Sequence, residues 1–269
     1  MDRLRLLAVF AHPDDEAFGT GGTLAKYAAE GNDVYLVTAT RGEAGEIKEP
    51  GLATPANLPA VREHELRCAC ETYGIHPPRF LDYVDGQLPI VHQGQAVGKL
   101  VRLIREIRPD VLITFGMDGI YGHYDHIAIH RWATIAVHLA ADPDCFPDPE
   151  ICDPHIVSKV YHRALTEEQV ASMTEDDSPA AVMMNGVPFF FVGRSIDEIT
   201  TIIDVSQYVE AKLAGIRCHA TQLGRQNRFA DTPDEVMDDS WFRQEHYVLA
   251  RSNVGRPKDI ETDLFTGLR

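Results

Sequence analysis

Residues 4–40 read LRLLAVFAHPDDEAFGTGGTLAKYAAEGNDVYLVTAT. Residues 4–10 form a short apolar run bounded by polar residues, the pattern of a strand buried on both faces. Residues 16–30 have helical character and end at Gly31-Asn32, a stop signal because glycine takes the left-handed conformation freely. Residues 33–40 are a second buried strand. Strand, helix and strand in succession make a βαβ unit, which requires a parallel sheet and a right-handed crossover.

Working outward, residues 41–58 are rich in Gly, Pro and Glu and have no period. A loop that long is usually functional or disordered. Residues 59–73 are helical, with Leu66, Cys70 and Tyr73 on one face. In residues 95–108, Val97, Leu100, Val101, Ile104 and Ile107 make an apolar stripe that Pro109 ends. Residues 111–115 are another buried strand. Ile129, Trp132, Ala133, Ala136, Val137 and Ala140 stripe a further helix. Residues 142–154 are a Pro/Asp-rich surface connection. Beyond them, strands are predicted at 157–163, 200–204 and 246–250, and helices at 166–173 and 207–220. The expected fold is α/β: one Rossmann-like, doubly wound domain over residues 1–269. Its sheet is mostly parallel with helices on both faces. The core covers residues 1–141, and 142–269 are C-terminal additions.

A chain of 269 residues with 44% hydrophobic and 25% charged residues is globular, not disordered. Its formal net charge of −16 repels phosphate backbones, so nucleic acid and anionic membrane are not expected partners. No apolar run approaches the roughly 18–20 residues of a membrane span, and the first is too short for a signal peptide. Five scattered cysteines without a CxxC pair predict neither a disulfide framework nor a thiolate zinc site. A reducing, cytoplasmic location fits. Homo-oligomerisation is left open.

In an open parallel sheet, ligands bind beyond the carboxyl ends of the strands. Two polar clusters fall at such ends. Ala11-His12-Pro13-Asp14-Asp15-Glu16 follows the first strand, and Tyr121-Gly122-His123-Tyr124-Asp125-His126 follows the strand at 111–115. A histidine with a nearby carboxylate, joined by a distant histidine, supplies N/O ligands of the kind zinc takes, and three protein ligands leave a position for water. Asp14 and Asp15 are adjacent, so their side chains diverge: one can ligate while the other serves as a base. His126 lies three residues from His123 and four from His130. Spacing alone does not say which of them binds a metal.

AHPDDE after a first strand and GHYDH after a later one resemble the LmbE/PIG-L family of metal-dependent N-deacetylases. That family acts on N-acetylglucosaminyl-inositol compounds of the mycothiol and bacillithiol pathways and on glycosylphosphatidylinositol precursors. The second motif carries Tyr124 where relatives often have Pro. Weaker similarity covers Thr40-Arg41-Gly42-Glu43, Arg62-Glu63, Tyr83-Val84-Asp85-Gly86 and His219-Ala220-Thr221-Gln222. The resemblance implies His12, Asp15 and His126 as ligands of Zn²⁺, or of another divalent ion such as Fe²⁺. It implies Asp14 as general base and His123 as oxyanion stabiliser or leaving-group acid. Asp125 is implied as the partner of His123, and Tyr121 as a mobile second oxyanion donor. Arg62 and Asp85 fall where relatives contact sugar hydroxyls, and Arg41 and Glu43 lie on the loop that meets the rest of the substrate. The implied substrate is an N-acetylated sugar or sugar conjugate.

Other readings of these residues meet specific objections. A sibling chemistry is an amidase cleaving a larger acyl group from a sugar-thiol conjugate. An NADP-linked Rossmann oxidoreductase would use Gly19-x-Gly21-Gly22, but Leu24 holds the third glycine position and no acid ends the second strand. Close packing at a helix start explains these glycines better. A non-catalytic binder would not need Asp14. No GxSxG or GxxxxGK[ST] occurs, against a serine hydrolase or a P-loop enzyme. Phe189-Phe190-Phe191 reads as a core strand, and Glu175-Asp176-Asp177 as a solvated loop.

Overall fold

The computed structural model describes residues 3–148, 150, 153–173, 178–184, 186–224 and 240–269. Cys152 and the run Glu175-Asp176-Asp177 lie outside them. The elements run β1 (Arg5–Phe10), α1 (Ala17–Ala29), β2 (Asp33–Thr38), α2 (Leu58–Tyr73), β3 (Arg79–Phe80), α3 (Gln93–Ile107), β4 (Val111–Phe115), α4 (Gly119–Gly122) and α5 (Tyr124–Ala140). Then come β5 (Lys159–Thr166), α6 (Glu167–Ser172), β6 (Ala181–Met184), β7 (Val187–Phe190), β8 (Gly193–Arg194), β9 (Thr201–Asp204), α7 (Val209–Cys218), α8 (Ala220–Leu223), α9 (Ser240–Arg243) and β10 (Gln244–Ser252). Eight strands belong to a mixed, mostly parallel sheet, the Rossmann-like α/β class expected, and β6 and β7 make a separate ribbon. The chain divides into two compact units, Met1–Leu88 with Asp204–Glu245 and Pro89–Ile203 with His246–Arg269.

In the first unit β1 and β2 run parallel, in register from Arg5↔Asp33 to Phe10↔Thr38, and β3 extends β2. Leu6 to Phe10 are wholly buried, which is why this run carries no polar alternation. α2 starts with a proline in its first turn and ends at Gly74, φ +71°. Helices α1, α2 and α7 pack together at glycines. A methyl group on Gly21 would sit 2.8 Å from Tyr73 Oη, and one on Gly215 only 2.0 Å from it. A Cβ on Gly22 would lie only 2.8 Å from the Val205 side chain. These glycines therefore serve helix packing. A disulfide joins Cys68 on α2 to Cys218 on α7. The cysteine spacing predicts no such bond, because 150 residues separate the pair and only the packing of α2 on α7 brings the Cα atoms to 5.9 Å.

In the second unit β5 runs parallel to β4 from Val111↔Lys159 to Phe115↔Arg163, and β10 pairs antiparallel with its other edge. The stripes of α3 and α5 are buried as their periods predict. Phe189-Phe190-Phe191 does not form a core strand. It falls in and just after β7, which pairs with β6 in a surface ribbon, and Phe190 is 51% exposed. An apolar run reads alike in both settings, since burial is decided by what covers it.

Two measurements test this packing. Gly215→Ala forces a methyl group into Tyr73, so the urea midpoint should fall by the equivalent of about 1–3 kcal/mol at unchanged slope; an unchanged midpoint would mean the helices part freely. In the second unit, burial and the neighbouring His130 depress the pKa of His162 to about 4. The folded chain thus keeps a neutral ring that the unfolded chain protonates below its ordinary value of 6.5. This stability is complete above that value and lost as pH falls toward 4. His162→Gln should flatten the stability curve across that window, and an identical slope would contradict the assignment.

Candidate active site

In the first unit, β1 ends in a tight turn built on its own carboxylate. Asp15 Oδ2 accepts the backbone N–H groups of His12, at 2.7 Å, and Ala11, at 3.2 Å. His12 lies beside it, with Nδ1 3.4 Å from Asp15 Oδ2 and Nε2 2.9 Å from Asp85 Oδ1. Burial works against ionisation of Asp85. The hydrogen bond and charge of His12, with Arg62 and the Ala44 N–H, still hold its pKa down at about 2. An ionised Asp85 only accepts, so Nε2 of His12 carries the proton and the neutral ring has its lone pair at Nδ1.

Asp14 takes φ +103°, a conformation rare for any residue but glycine. Its N–H donates to Glu16 Oε2 at 3.1 Å, and its Oδ2 accepts from Arg62 Nη2 at 3.2 Å. Arg62, 3% exposed, also donates to Pro13 O at 2.5 Å and Gly42 O at 3.0 Å. Burial raises the Asp14 pKa to about 6, with Asp15 and Glu16 adding to it and Arg62 opposing. Glu16 Oε1 lies 2.7 Å from His219 Nε2. Burial resists protonation of His219, but the charge and hydrogen bond of Glu16 outweigh it and raise its pKa.

The loop after β2 is ordered by its own polar groups. Glu43 accepts from Arg41 N at 3.3 Å and from Asp85 N at 3.0 Å, and Ala44 N donates to Asp85 Oδ2 at 3.2 Å. Arg41 pairs with Glu63 and Asp82, both at 2.6 Å, and lies over the Phe80 ring. Glu65 on α2 accepts both the N–H and the hydroxyl of Thr221 at 2.7 Å, and Thr221 O accepts from Lys48 N at 3.0 Å. Glu16, Glu65 and Thr221 carry no individual signal in the sequence. Their partners lie up to 203 residues away, so no local pattern marks them.

In the second unit, the chain after β4 passes Asp118, which caps Ile120 N at 2.7 Å. Gly119, Ile120 and Gly122 all take positive φ. His123 then caps α5, its Nδ1 accepting the Asp125 N–H at 3.1 Å. Nδ1 is therefore unprotonated and a neutral His123 carries its proton at Nε2. His126, 1% exposed, stacks on Phe115 with centroids 4.0 Å apart. Its Nδ1 donates to Gly119 O at 3.0 Å, which puts the lone pair at Nε2. Tyr121 meets the His126 ring edge-on at 5.1 Å and packs against Phe191. His130 Nδ1 instead donates to Phe115 O at 2.9 Å, and its ring faces His162.

In the first unit His12 and Asp15 set an imidazole beside a carboxylate, and in the second His126 is a buried imidazole. Two imidazoles and one carboxylate are the donor types of a three-ligand metal site. The hydrogen bonds of His12 and His126 fit that role, since each ring donates from one nitrogen and keeps its lone pair at the other. No described helix is long and apolar enough to cross a membrane.

Comparison with known proteins follows the same lines. Residues 7–137 match the family described as PIG-L, GlcNAc-PI de-N-acetylase. A 1D-myo-inositol 2-acetamido-2-deoxy-alpha-D-glucopyranoside deacetylase of Streptomyces avermitilis is 39% identical, covering 98% of this chain and 97% of the relative. Among solved structures, an N,N'-diacetylchitobiose deacetylase from Pyrococcus horikoshii superimposes with a TM-score of 0.65 at 19% identity, over 92% of this chain and 84% of that one. A 4-carboxy-2-hydroxymuconate hydratase from Pseudomonas putida also gives 0.65, at 21% identity, over 94% and 99%. These two likenesses establish the fold. The sequence match over nearly the full length of the Streptomyces deacetylase, with both polar motifs in place, shows that the chain belongs to the PIG-L (LmbE) family of metal-dependent N-deacetylases.

Proposed function

We propose that residues 1–269 act as one catalytic domain that hydrolyses the N-acetyl group of an N-acetylglucosamine conjugate, with a divalent ion held by His12, Asp15 and His126. Zn²⁺ suits these donors, and Fe²⁺ is an alternative. The observation that carries the reading is the turn at residues 11–16. It fixes Asp15 and His12 side by side and holds Asp14, the adjacent carboxylate, in a separate arrangement with a pKa of about 6.

A bound divalent ion would polarise the amide carbonyl and acidify a water molecule. Asp14 accepts the proton from that water, a task suited to a carboxylate whose pKa lies near working pH. Arg62 holds the carboxylate in place meanwhile. His123 donates from Nε2 to the oxygen that gains charge, and the Asp125 N–H on Nδ1 fixes which nitrogen is the donor. Tyr121 is a second donor. The amine must leave protonated, and Asp14 returns the proton it took.

Asp85 orients His12, and both its oxygens are engaged, at His12 and at Ala44. Asp85 therefore serves a sugar ring only by sharing bonds it already makes, whereas Arg62 engages Gly42 O, Pro13 O and Asp14 through Nη1 and Nη2 and has no partner among the described residues at its buried Nε. The 41–58 loop, with Arg41 and Glu43, recognises what the sugar carries. The Streptomyces relative is named as a deacetylase of a 2-acetamido-2-deoxy-glucopyranoside of 1D-myo-inositol, so a polyol aglycone is the first to test.

His12→Ala and His126→Ala should each lose most bound Zn²⁺ by elemental analysis, whereas His130→Ala should keep it; the reverse pattern for His126 and His130 would refute the ligand set. Asp14→Asn should keep the metal but lose most turnover in a free-amine assay, because an amide accepts no proton. Free N-acetylglucosamine should show lower kcat/KM than its myo-inositol conjugate, since remote contacts help position the reacting centre. Equal efficiency on both would remove the loop from recognition.

A further inference from the structure

The turn that carries the base has a feature that helix capping does not explain. Glu16 is the N-cap residue of α1, the place where a carboxylate ordinarily accepts N–H groups of the first helical turn. Its side chain makes no such bond. It reaches backward instead, where Oε2 accepts the Asp14 N–H at 3.1 Å. Its other oxygen, Oε1, sits 2.7 Å from Nε2 of His219. Glu16 is 1% exposed and His219 0%. A carboxylate so deeply buried must be fully partnered, and one oxygen on each partner achieves that.

Asp14 needs such a restraint. At φ +103° its backbone sits where residues other than glycine rarely go, and such a conformation persists only when the surroundings over-determine it. Arg62 fixes the carbonyl before it and the carboxylate itself, through Pro13 O and Asp14 Oδ2. The Asp14 carbonyl accepts the Ala17 N–H at 2.9 Å as α1 begins, and Glu16 holds the Asp14 N–H, the group that sets its rotation on the strand side. His219 comes from the far end of the unit, where α7 runs into α8, and α7 is locked to α2 by the Cys68–Cys218 disulfide and the glycine contacts with Tyr73. The pair thus ties the rotation of Asp14 to a rigid helix junction.

We infer that Glu16, steadied by His219, is a positioning residue that holds Asp14 in its left-handed conformation and so aims the general base. The inference rests on the reading of Asp14 as the base, and Glu16 acts through Asp14 alone. Its signature is therefore non-additivity. Glu16→Gln keeps the shape but offers one acceptor oxygen where two bonds need accepting.

The experiment compares wild type, E16Q, D14N and the double variant, each folded by circular dichroism and loaded with Zn²⁺, on the myo-inositol conjugate of N-acetylglucosamine. E16Q should lower kcat by about 10–100-fold, as expected when a catalytic group is misplaced, with KM within about twofold and zinc content unchanged. In the D14N background E16Q should change kcat by less than about threefold, because the group it positions is already lost. His219→Leu should behave like E16Q, and His219→Gln, which keeps an N–H donor, should recover part of the loss; this pair carries the test if E16Q fails to fold. In metal-free protein, the Asp14 amide proton should exchange faster in E16Q than in wild type by NMR. Near-wild-type kcat in E16Q, or an equal loss in both backgrounds, overturns the positioning role. Wild-type turnover by D14N would instead overturn the base assignment, and the Asp14 amide exchange would then decide the positioning claim alone.

Discussion

A single carboxylate oxygen organises the turn that follows β1 in the first unit. Asp15 Oδ2 gathers the N–H groups of Ala11 and His12 as β1 stops, at the point where a strand would otherwise leave its last donors unpaired. The chain is thereby bent so that His12 and Asp15 lie together, and the residue between Pro13 and Asp15 is forced through positive φ. Arg62 and Glu16 then absorb the strain from opposite ends of that residue. Three acidic residues in a row would repel one another in water. Here each has a distinct partner: Arg62 for Asp14, backbone N–H groups for Asp15 and His219 for Glu16.

The rest of the first unit keeps those partners in place. Arg62 comes from α2 and His219 from the end of α7, and these helices approach closely because Gly21 and Gly215 leave room for Tyr73. Buried ionic contacts of this kind add little net stability, but removing one member strands a charge in a dry interior. Lys212 and Glu245, both 1% exposed and 3.0 Å apart, repeat the device, with Glu245 also accepting from Gly22 and Thr23. In the second unit the run of positive φ at Gly119, Ile120 and Gly122 does the corresponding work, turning His123 and His126 onto the first turn of α5.

Fold and chemistry separate in this family's structural neighbours. A deacetylase and a hydratase superimpose on the chain equally well, each with a TM-score of 0.65. The sheet offers a strand-end platform, and function resides in the side chains placed there. What ties the protein to deacetylation is the sequence likeness to the Streptomyces enzyme together with the AHPDDE and GHYDH clusters.

Those clusters, and the βαβ unit around the first of them, were legible in the sequence because their information is local. An apolar run of strand length, a helix stopped at glycine and a His-Pro-Asp-Asp turn each occupy neighbouring residues, and backbone geometry converts neighbours in sequence into neighbours in space. The choice between His126 and His130 was not legible from spacing: both suit a helix, and each ring bonds a backbone carbonyl through Nδ1, of Gly119 and of Phe115. The surface ribbon at Phe189 and Phe190, the Cys68–Cys218 bond and the Glu16–His219 pair were equally hidden. Each depends on which distant segment covers or meets a residue. That is set when helices and sheet pack, a property of the whole chain that no window of its sequence contains.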